Sequence, residues 1–334
     1  MPFGATIIDA QGLRLSADEK ALFRAADPFG FILFARNIDT ADQLRALCND
    51  MREAVGREAL ITIDQEGGRV QRMRAPTWRE WLPPLDLVAL AGPDAPRAIY
   101  LMYRIIADEL RRVGVDSNCA PTLDLAGPHT HQFLRNRCYG SDPARVAMLG
   151  RAVVDGMLAG GVVPVMKHMP GHGRATLDTH FDLPTVDVPL SALKQTDFAP
   201  FRALNDVAMG MTAHLIFSEI DDMPATLSKK MIEVIREDIG FDNLLMTDDI
   251  SMKALSGSPV QNTTAAIAAG VDVVLYCNAS LQDRHLVAEA AGQMNPDAQR
   301  RAEHALSHRK IPDDVDIPSL ERELEALLGG AIHG

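Results

Sequence analysis

Ionisable side chains follow four separate apolar segments of this sequence, each at the point where a predicted strand ends. A carboxylate there can act as a nucleophile, a general base or a metal ligand, and an imidazole can carry a proton near neutral pH. One such residue alone is most often a helix cap or a satisfied structural group, but four strand ends together indicate a reaction centre. The side chains are Asp64, Lys167 with His168, His214, and Asp248 with Asp249.

Asp248 and Asp249 are adjacent, and neighbouring side chains of a strand point to opposite sides. We therefore expect only one of them to face the centre, as nucleophile, base or metal ligand. The other is expected to cap a helix or to pair with Lys253.

The segment from His168 to His180 holds three histidines and an aspartate. His168 and His172 have the i, i+4 spacing of a helical zinc site, but Pro170 and Gly171 would break the helix that makes this spacing useful. The sequence therefore makes a zinc site less favoured, but the prediction of one stays open.

Asp178 and His180 lie in a predicted long loop between positions 173 and 184. Residues two apart share a side of extended backbone, so the carboxylate is expected beside the imidazole. Such a carboxylate fixes the imidazole tautomer and raises its basicity, which suits a general acid/base. The alternative is a pair that only braces the loop.

Strand-length apolar segments alternate with amphipathic helical segments along the chain. The eight strands are continuous apolar runs, which is typical of a parallel sheet covered by helices. Eight β-then-α units predict a (β/α)₈ TIM-type barrel, an α/β fold with active sites at the carboxyl ends of its strands. A doubly wound sheet is the alternative. The predicted strands cover residues 5–8, 30–34, 59–63, 115–119, 162–166, 208–211, 244–246 and 271–275.

Helical segments are predicted at residues 42–55, 98–113, 145–159, 230–239 and 263–269. Glycines follow several of them and suit the left-handed position after a helix; they are Gly56, Gly114, Gly160 and Gly240. No linker divides the chain, so residues 1–334 are predicted to form one domain, with residues 295–334 as a helical tail packed on the barrel.

The composition excludes several classes of protein. The 334 residues carry a net charge of −12, which gives no general attraction for nucleic acid or anionic lipid. No apolar run approaches the ~20 residues that span a bilayer. The four cysteines have no paired spacing, and the first residues lack a secretion signal, so we expect a cytoplasmic protein.

Three motifs together carry a resemblance to a known family. They are residues 234–251, which read VIREDIGFDNLLMTDDIS; the strand end with Lys167 and His168; and the Pro-Gly-His-Gly loop that leads to Asp178 and His180. The sequence resembles, over nearly its whole length, the bacterial β-N-acetylglucosaminidases of glycoside hydrolase family 3, in their single-domain, peptidoglycan-recycling (NagZ-type) branch.

The resemblance implies a role for each matching residue. Asp248 would be the nucleophile, and His180, supported by Asp178, the acid/base. The hydroxyl groups of a GlcNAc ring would be held by Asp64, Arg72, Arg137, Lys167 and His168. Asn243 departs from the family pattern, which has glycine there, and is tolerable because asparagine accepts a positive φ.

The implied reaction is the retaining hydrolysis of a terminal β-linked GlcNAc, with a muropeptide fragment as the small-molecule substrate. No metal and no organic cofactor are implied, and the oligomeric state, monomer or homodimer, stays open. A phosphorylase, in which phosphate replaces water, is the nearest alternative. The others are a metal-dependent barrel hydrolase using His168, His172, His180 and Asp248, and a non-catalytic sugar-binding protein.

Overall fold

The computed structural model describes residues 1–128, 130–175 and 183–330. Among these residues, no helix combines the length and the apolar content needed to cross a lipid bilayer. The strands are β1 Gly4–Asp9, β2 Pro28–Leu33, β3 Leu60–Ile63, β4 Ser117–Asn118, β5 Val163–Met169, β6 Thr185–Val186, β7 Met209–Thr212, β8 Ile216–Phe217, β9 Leu244–Met246 and β10 Val274–Tyr276. The helices are α1 Ala17–Ala26, α2 Ala41–Val55, α3 Pro84–Ala91, α4 Ala95–Arg112, α5 Gln132–Arg135, α6 Pro143–Ala159, α7 Leu190–Gln195, α8 Ala199–Ala203, α9 Lys229–Glu237, α10 Pro259–Ala269, α11 Leu281–Ala291, α12 Pro296–Ser307 and α13 Ile317–Leu327.

The strands form two four-stranded parallel sheets, in the orders β10-β1-β2-β3 and β4-β5-β7-β9. These eight strands are the eight that the sequence predicts, so the α/β class and the parallel sheet are confirmed. A separate parallel pair, β6 with β8, was not predicted. Each of its strands has two residues, which is too short for a periodic signal.

Backbone hydrogen bonds join the edges of the two sheets. Asp116 N donates to Ile61 O at 3.1 Å, and Cys119 N donates to Ile63 O at 2.8 Å, next to β3 and β4. On the other side, Thr247 N donates to Val273 O at 3.0 Å, next to β9 and β10. Both edges of each sheet therefore have neighbours.

The core has two parts, one on each face of the strands. Ile7 of β1 belongs to an inner apolar cluster, whereas Ile8 belongs to the outer cluster between strands and helices. All six residues of β1 and of β2 are buried, as expected for strands covered on both faces.

The turn after α6 differs from the sequence-based prediction. Gly56, Gly114 and Gly240 have positive φ as expected, but the left-handed residue after α6 is Gly161, with φ +72°, and not Gly160. A Cβ on Gly161 would lie 2.4 Å from Lys310 O, so the close approach of the tail also requires glycine there. Asn243 does not have a positive φ, and its Nδ2 donates to Val207 O at 3.1 Å.

Helices α12 and α13 pack on the rest of the chain. Ala298, Ala302 and Ala305 of α12 are buried in the inner cluster. Helix α13 contacts α4, where Glu323 accepts two hydrogen bonds from Arg97 at 2.7 and 2.8 Å.

Candidate active site

A cavity of about 220 Å³ lies at the carboxyl ends of the parallel strands. Its wall combines charged side chains with apolar ones, among them Ile32, Phe34, Met211 and Leu275. The residues to which the family resemblance assigns a role and that line this cavity are Asp64, Arg72, Arg137, Lys167, His168 and Asp248. The structure therefore brings together six predicted residues from five segments of the chain.

Asp64 lies between two cations just after β3. Lys167 Nζ, from β5, is 2.8 Å from Asp64 Oδ1, and Arg72 Nη2 is 2.9 Å from Asp64 Oδ2. Burial alone would raise the pKa of Asp64, but its attraction to Lys167 and Arg72 is stronger and holds that pKa well below its usual range. Asp64 is thus an ionised acceptor flanked by two donors.

Glu66 is the carboxylate that the sequence reasoning missed. It accepts two hydrogen bonds from Arg137 at 2.9 Å each and lies 2.6 Å from Lys167 Nζ. Burial opposes its ionisation, but Arg137 and Lys167 together lower its pKa to about 2. The sequence contains a signal for Glu66, because it is two residues after Asp64 and residues two apart share a side of extended backbone.

The turn after Glu66 depends on paired glycines. Gly67 and Gly68 have φ values of +108° and +57°. A Cβ on Gly67 would lie 2.5 Å from Leu82 O. The sharp turn lets Arg72 return to Asp64.

His168 is held by two residues of the cavity wall. Its Nδ1 is 2.7 Å from Asp124 Oδ2, and its Nε2 is 3.4 Å from Arg137 Nη2. Because a carboxylate can only accept, Nδ1–H donates to Asp124. Burial opposes the ionisation of Asp124, yet its pKa is lowered, chiefly by His168. Asp124 was also missed, since no strand of predicted length precedes it directly.

His172 lies behind His168, with ring centroids 5.4 Å apart. Its side chain is buried, and neither ring nitrogen has a hydrogen-bond partner among the described residues. Burial, followed by the nearby His168, lowers the pKa of His172 to about 3, so this imidazole is neutral at pH 7. Potential ligand atoms of Asp124, His168 and His172 lie within 4.8 Å of one another, although β5 is a strand and not the helix of a spacing-based zinc site.

Asp248 and Asp249 both line the cavity, just after β9 ends at Met246. The Asp249 carboxylate accepts from Ser251 N at 2.9 Å, a capping contact of the kind expected for the second residue of the pair. Asp249 N donates to Asp248 Oδ1 at 2.8 Å. Burial opposes the ionisation of Asp248, but His214, His168, the Asp249 N–H and Lys167 together lower its pKa.

Asp178 and His180, the predicted acid/base pair, lie outside the described residues. The described segments on either side are anchored. Ala175 N donates to His172 O at 3.0 Å, and Pro184 O accepts at 3.0 Å from Ile216 N, the first residue of β8. The two hydrogen bonds lie in the segments that follow β5 and β7. Both of these strands contribute residues to the cavity.

The arrangement has a definite chemical capacity. The charged lining consists of four cations, Arg69, Arg72, Arg137 and Lys167, and three carboxylates, Asp64, Asp248 and Asp249. The buried Glu66, paired with Arg137 and Lys167 behind them, makes positive and negative groups equal in number. Such a wall suits an uncharged molecule with several hydroxyl groups. The ionised Asp248 can attack an electrophilic carbon of that molecule.

Comparisons with known proteins agree with this chemistry. The family model described as glycosyl hydrolase family 3 N terminal domain matches residues 8–306. A β-hexosaminidase from Bordetella avium is 36% identical over 83% of this chain and 81% of its own length, and one from Tolumonas auensis is 36% identical over 91% and 90%. A crystal structure of NagZ from Neisseria gonorrhoeae in complex with N-trifluoroacetyl-D-glucosamine has a TM-score of 0.83 and 28% identity, and covers 98% of this chain and 97% of that one. The chain belongs to glycosyl hydrolase family 3.

Proposed function

We propose that this protein is a retaining β-N-acetylhexosaminidase that removes terminal β-linked GlcNAc from its substrate. Relatives named β-hexosaminidase and the similarity to NagZ support the activity. The observation that carries the proposal is the ionised Asp248 in the same cavity as the Asp64–Lys167–Arg72 group. Such a hydrolase needs a nucleophilic carboxylate and a set of hydrogen-bonding groups that bind the sugar hydroxyls.

The reaction has two steps. Asp248 attacks the anomeric carbon to form a covalent glycosyl-enzyme, while His180, oriented by Asp178, gives a proton to the departing glycosidic oxygen. Water then attacks the same carbon, His180 takes its proton, and the Asp248 carboxylate leaves. Two inversions give a product that retains the β configuration.

The hydroxyl groups of the GlcNAc ring are held by Asp64, Arg72, Arg137, Lys167 and His168. Asp64 supplies acceptors, and Lys167 and Arg72 supply donors already fixed by ion pairs. Arg137 is held by Glu66 through two hydrogen bonds, so the orientation of its guanidinium is fixed. Groups fixed in advance lose little entropy when the sugar binds.

The framework is proposed to be one closed (β/α)₈ barrel that forms a single domain over residues 1–334. Eight parallel strands with helices between them support closure, as do the backbone hydrogen bonds at both sheet edges. Bending of the two sheets toward each other would place three of the four polar strand ends around one cavity, those with Asp64, Lys167 and Asp248, while His214 stays buried behind the wall. The packing of α12 and α13 supports a tail that belongs to this domain.

The natural substrate is proposed to be a muropeptide fragment of peptidoglycan recycling, GlcNAc joined to an anhydro-muramic acid with or without its peptide. The cytoplasm is the proposed location. The four cysteines support it, since all are buried with free thiols and none forms a disulfide.

A glycosidase panel tests the proposed activity. Aryl β-GlcNAc should be cleaved faster than aryl β-GalNAc or β-glucoside, and NMR should show β-GlcNAc as the first product. The same assay in phosphate buffer separates hydrolysis from phosphorolysis, because a phosphorylase would release a sugar phosphate. Binding of GlcNAc without turnover of any substrate would contradict an enzyme.

A further inference from the structure

His214 is a buried histidine at the end of β7 that the proposed reaction does not use. Its Nε2 lies 3.0 Å from the backbone carbonyl oxygen of Asp249, and its Nδ1 lies 2.8 Å from Thr226 Oγ1. The side chain is about 1% exposed and is not part of the cavity lining. It therefore has no access to substrate and cannot exchange protons with it.

The direction of one hydrogen bond follows from its partner. A carbonyl oxygen only accepts, so His214 Nε2 carries the proton and donates to Asp249. The bond exists in both protonation states of the ring. On the other side of the ring, Nδ1 lies 2.8 Å from Thr226 Oγ1, an oxygen that also contacts Thr212 Oγ1 at 2.8 Å and Ala213 O at 3.1 Å.

Asp249 is held from two other sides. Its carboxylate accepts from Ser251 N at 2.9 Å and lies 2.8 Å from the thiol of Cys277, just after β10. Its N–H donates to Asp248 Oδ1 at 2.8 Å. Strands β7 and β10 thus hold one residue between them, and that residue orients the Asp248 carboxylate.

We propose that His214 is a positioning residue of the proposed reaction, which holds the Asp249 carbonyl and thereby fixes the Asp248 carboxylate for attack. The inference rests on the proposed role of Asp248. One oxygen of Asp248 is engaged by the Asp249 N–H, which leaves the other for the anomeric carbon. Since a displacement of about 1 Å at a reacting atom can lower the rate on the order of 100-fold, a missing support behind Asp249 has a kinetic effect.

Two substitutions of His214 test this role. In His214→Gln the side-chain amide can place a donor near the position of Nε2, whereas His214→Met fills similar space without any donor. We expect His214→Met to lower kcat on the order of 100-fold with KM changed less than about threefold, because the sugar-binding side chains are untouched. His214→Gln should recover kcat to within about tenfold of the wild type.

Thr226→Val is a control on the other side of the ring. It removes the hydroxyl beside Nδ1 and keeps the donor to Asp249, so kcat should fall less than in His214→Met. All variants are compared at matched fraction folded, from thermal unfolding, and with the glycoside that the wild type cleaves fastest. Equal kcat values for His214→Gln and His214→Met, or a kcat of His214→Met near the wild type, would overturn the positioning role.

Crystal structures separate this inference from the proposed function. In His214→Met the Asp249 carbonyl and the Asp248 carboxylate should move, and in His214→Gln they should not. An unmoved Asp248 in His214→Met rejects the positioning role whatever the enzyme cleaves. A wild-type enzyme inactive on the whole glycosidase panel rejects the proposed function, while the displacement still tests His214.

Discussion

Glu66 accepts two hydrogen bonds from the guanidinium of Arg137, both at 2.9 Å, although the residues are 71 positions apart in the chain. Both side chains are largely buried, and Lys167 shares the same carboxylate at 2.6 Å. A buried charge that loses its partner is strongly destabilising. Glu66 therefore links the stability of the cavity wall to the orientation of two substrate-binding cations.

Replacement of Glu66 by glutamine should weaken both properties. Glu66→Gln keeps the volume but leaves Arg137 and Lys167 with one compensating charge fewer, so we expect KM to rise about tenfold and the free energy of unfolding to fall by about 3 kcal/mol. Steady-state kinetics and urea unfolding measure the two effects. Glu80→Gln, which breaks the Arg74–Glu80 surface pair, is the control and should change stability by less than about 1 kcal/mol.

Removal of the Asp248 carboxylate should abolish turnover without unfolding the protein. Asp248→Ala is expected to lower kcat for an aryl β-GlcNAc by at least about 10³-fold, because it removes the carboxylate to which the covalent intermediate is assigned. Azide should restore cleavage and give the α-glycosyl azide, since it attacks from the vacated face. Asp249→Asn, one residue away in the same cavity, should lose less activity. Near-normal activity of Asp248→Ala would show that the nucleophile is another group.

His172 should give the protein a distinct pH dependence of stability. Its pKa is about 3 in the folded protein against about 6.5 for an ordinary histidine, so the unfolded chain binds a proton that the folded protein does not. Above pH 6.5 the neutral His172 leaves the free energy of unfolding at its full value. That free energy decreases as the pH falls from 6.5 toward 3, because only the unfolded chain takes up the proton. Linkage gives a loss of about 2 kcal/mol between pH 7.5 and pH 5.

Urea unfolding at these two pH values, with EDTA present, measures this loss for the wild type and for His172→Gln. The variant should show a smaller fall in stability by about that amount. Equal falls for the two proteins would mean that His172 is protonated in the folded state. His285, exposed on α11, provides the matched control, since His285→Gln should leave the wild-type fall unchanged.

His180 is expected to matter most for poor leaving groups. An activated aryl group departs with little protonation, whereas an alkyl or sugar aglycone needs a proton from the acid. His180→Ala should therefore reduce kcat/KM for a GlcNAc disaccharide at least about 10-fold more than for a nitrophenyl glycoside. Equal losses on both substrates would argue against a role as the acid.

Exhaustive chelation decides whether a metal takes part. Asp124, His168 and His172 present ligand atoms within 4.8 Å of one another, and a hydrolase that used a metal there would lose activity. The proposed mechanism needs no metal, so activity after dialysis against EDTA should stay within about twofold of the untreated enzyme. A loss that zinc restores would favour the metal-dependent alternative.

Local sequence patterns predicted the strands and most of the site. Apolar runs and helical periods depend on which residues can be buried. That preference follows from the residue types of each segment alone. The same patterns identified Asp64, Lys167, His168 and Asp248, because polar residues directly after an apolar run are visible without any knowledge of the partner strands. The family resemblance added Arg72 and Arg137, which line the cavity and whose roles stay predictions.

Only the tertiary structure decided which of these side chains support one another. Asp124 holds His168 from 44 positions away, and His214 reaches Asp249 across 35. No local period contains such pairings, because they depend on how the sheets bring distant strand ends together. The contact of the Asp249 carboxylate with Cys277 was also decided by the tertiary structure, because β10 brings Cys277 beside it. The sequence thus determined which chemical groups stand at the strand ends, and the packing of those strands decided their hydrogen bonds and charge states.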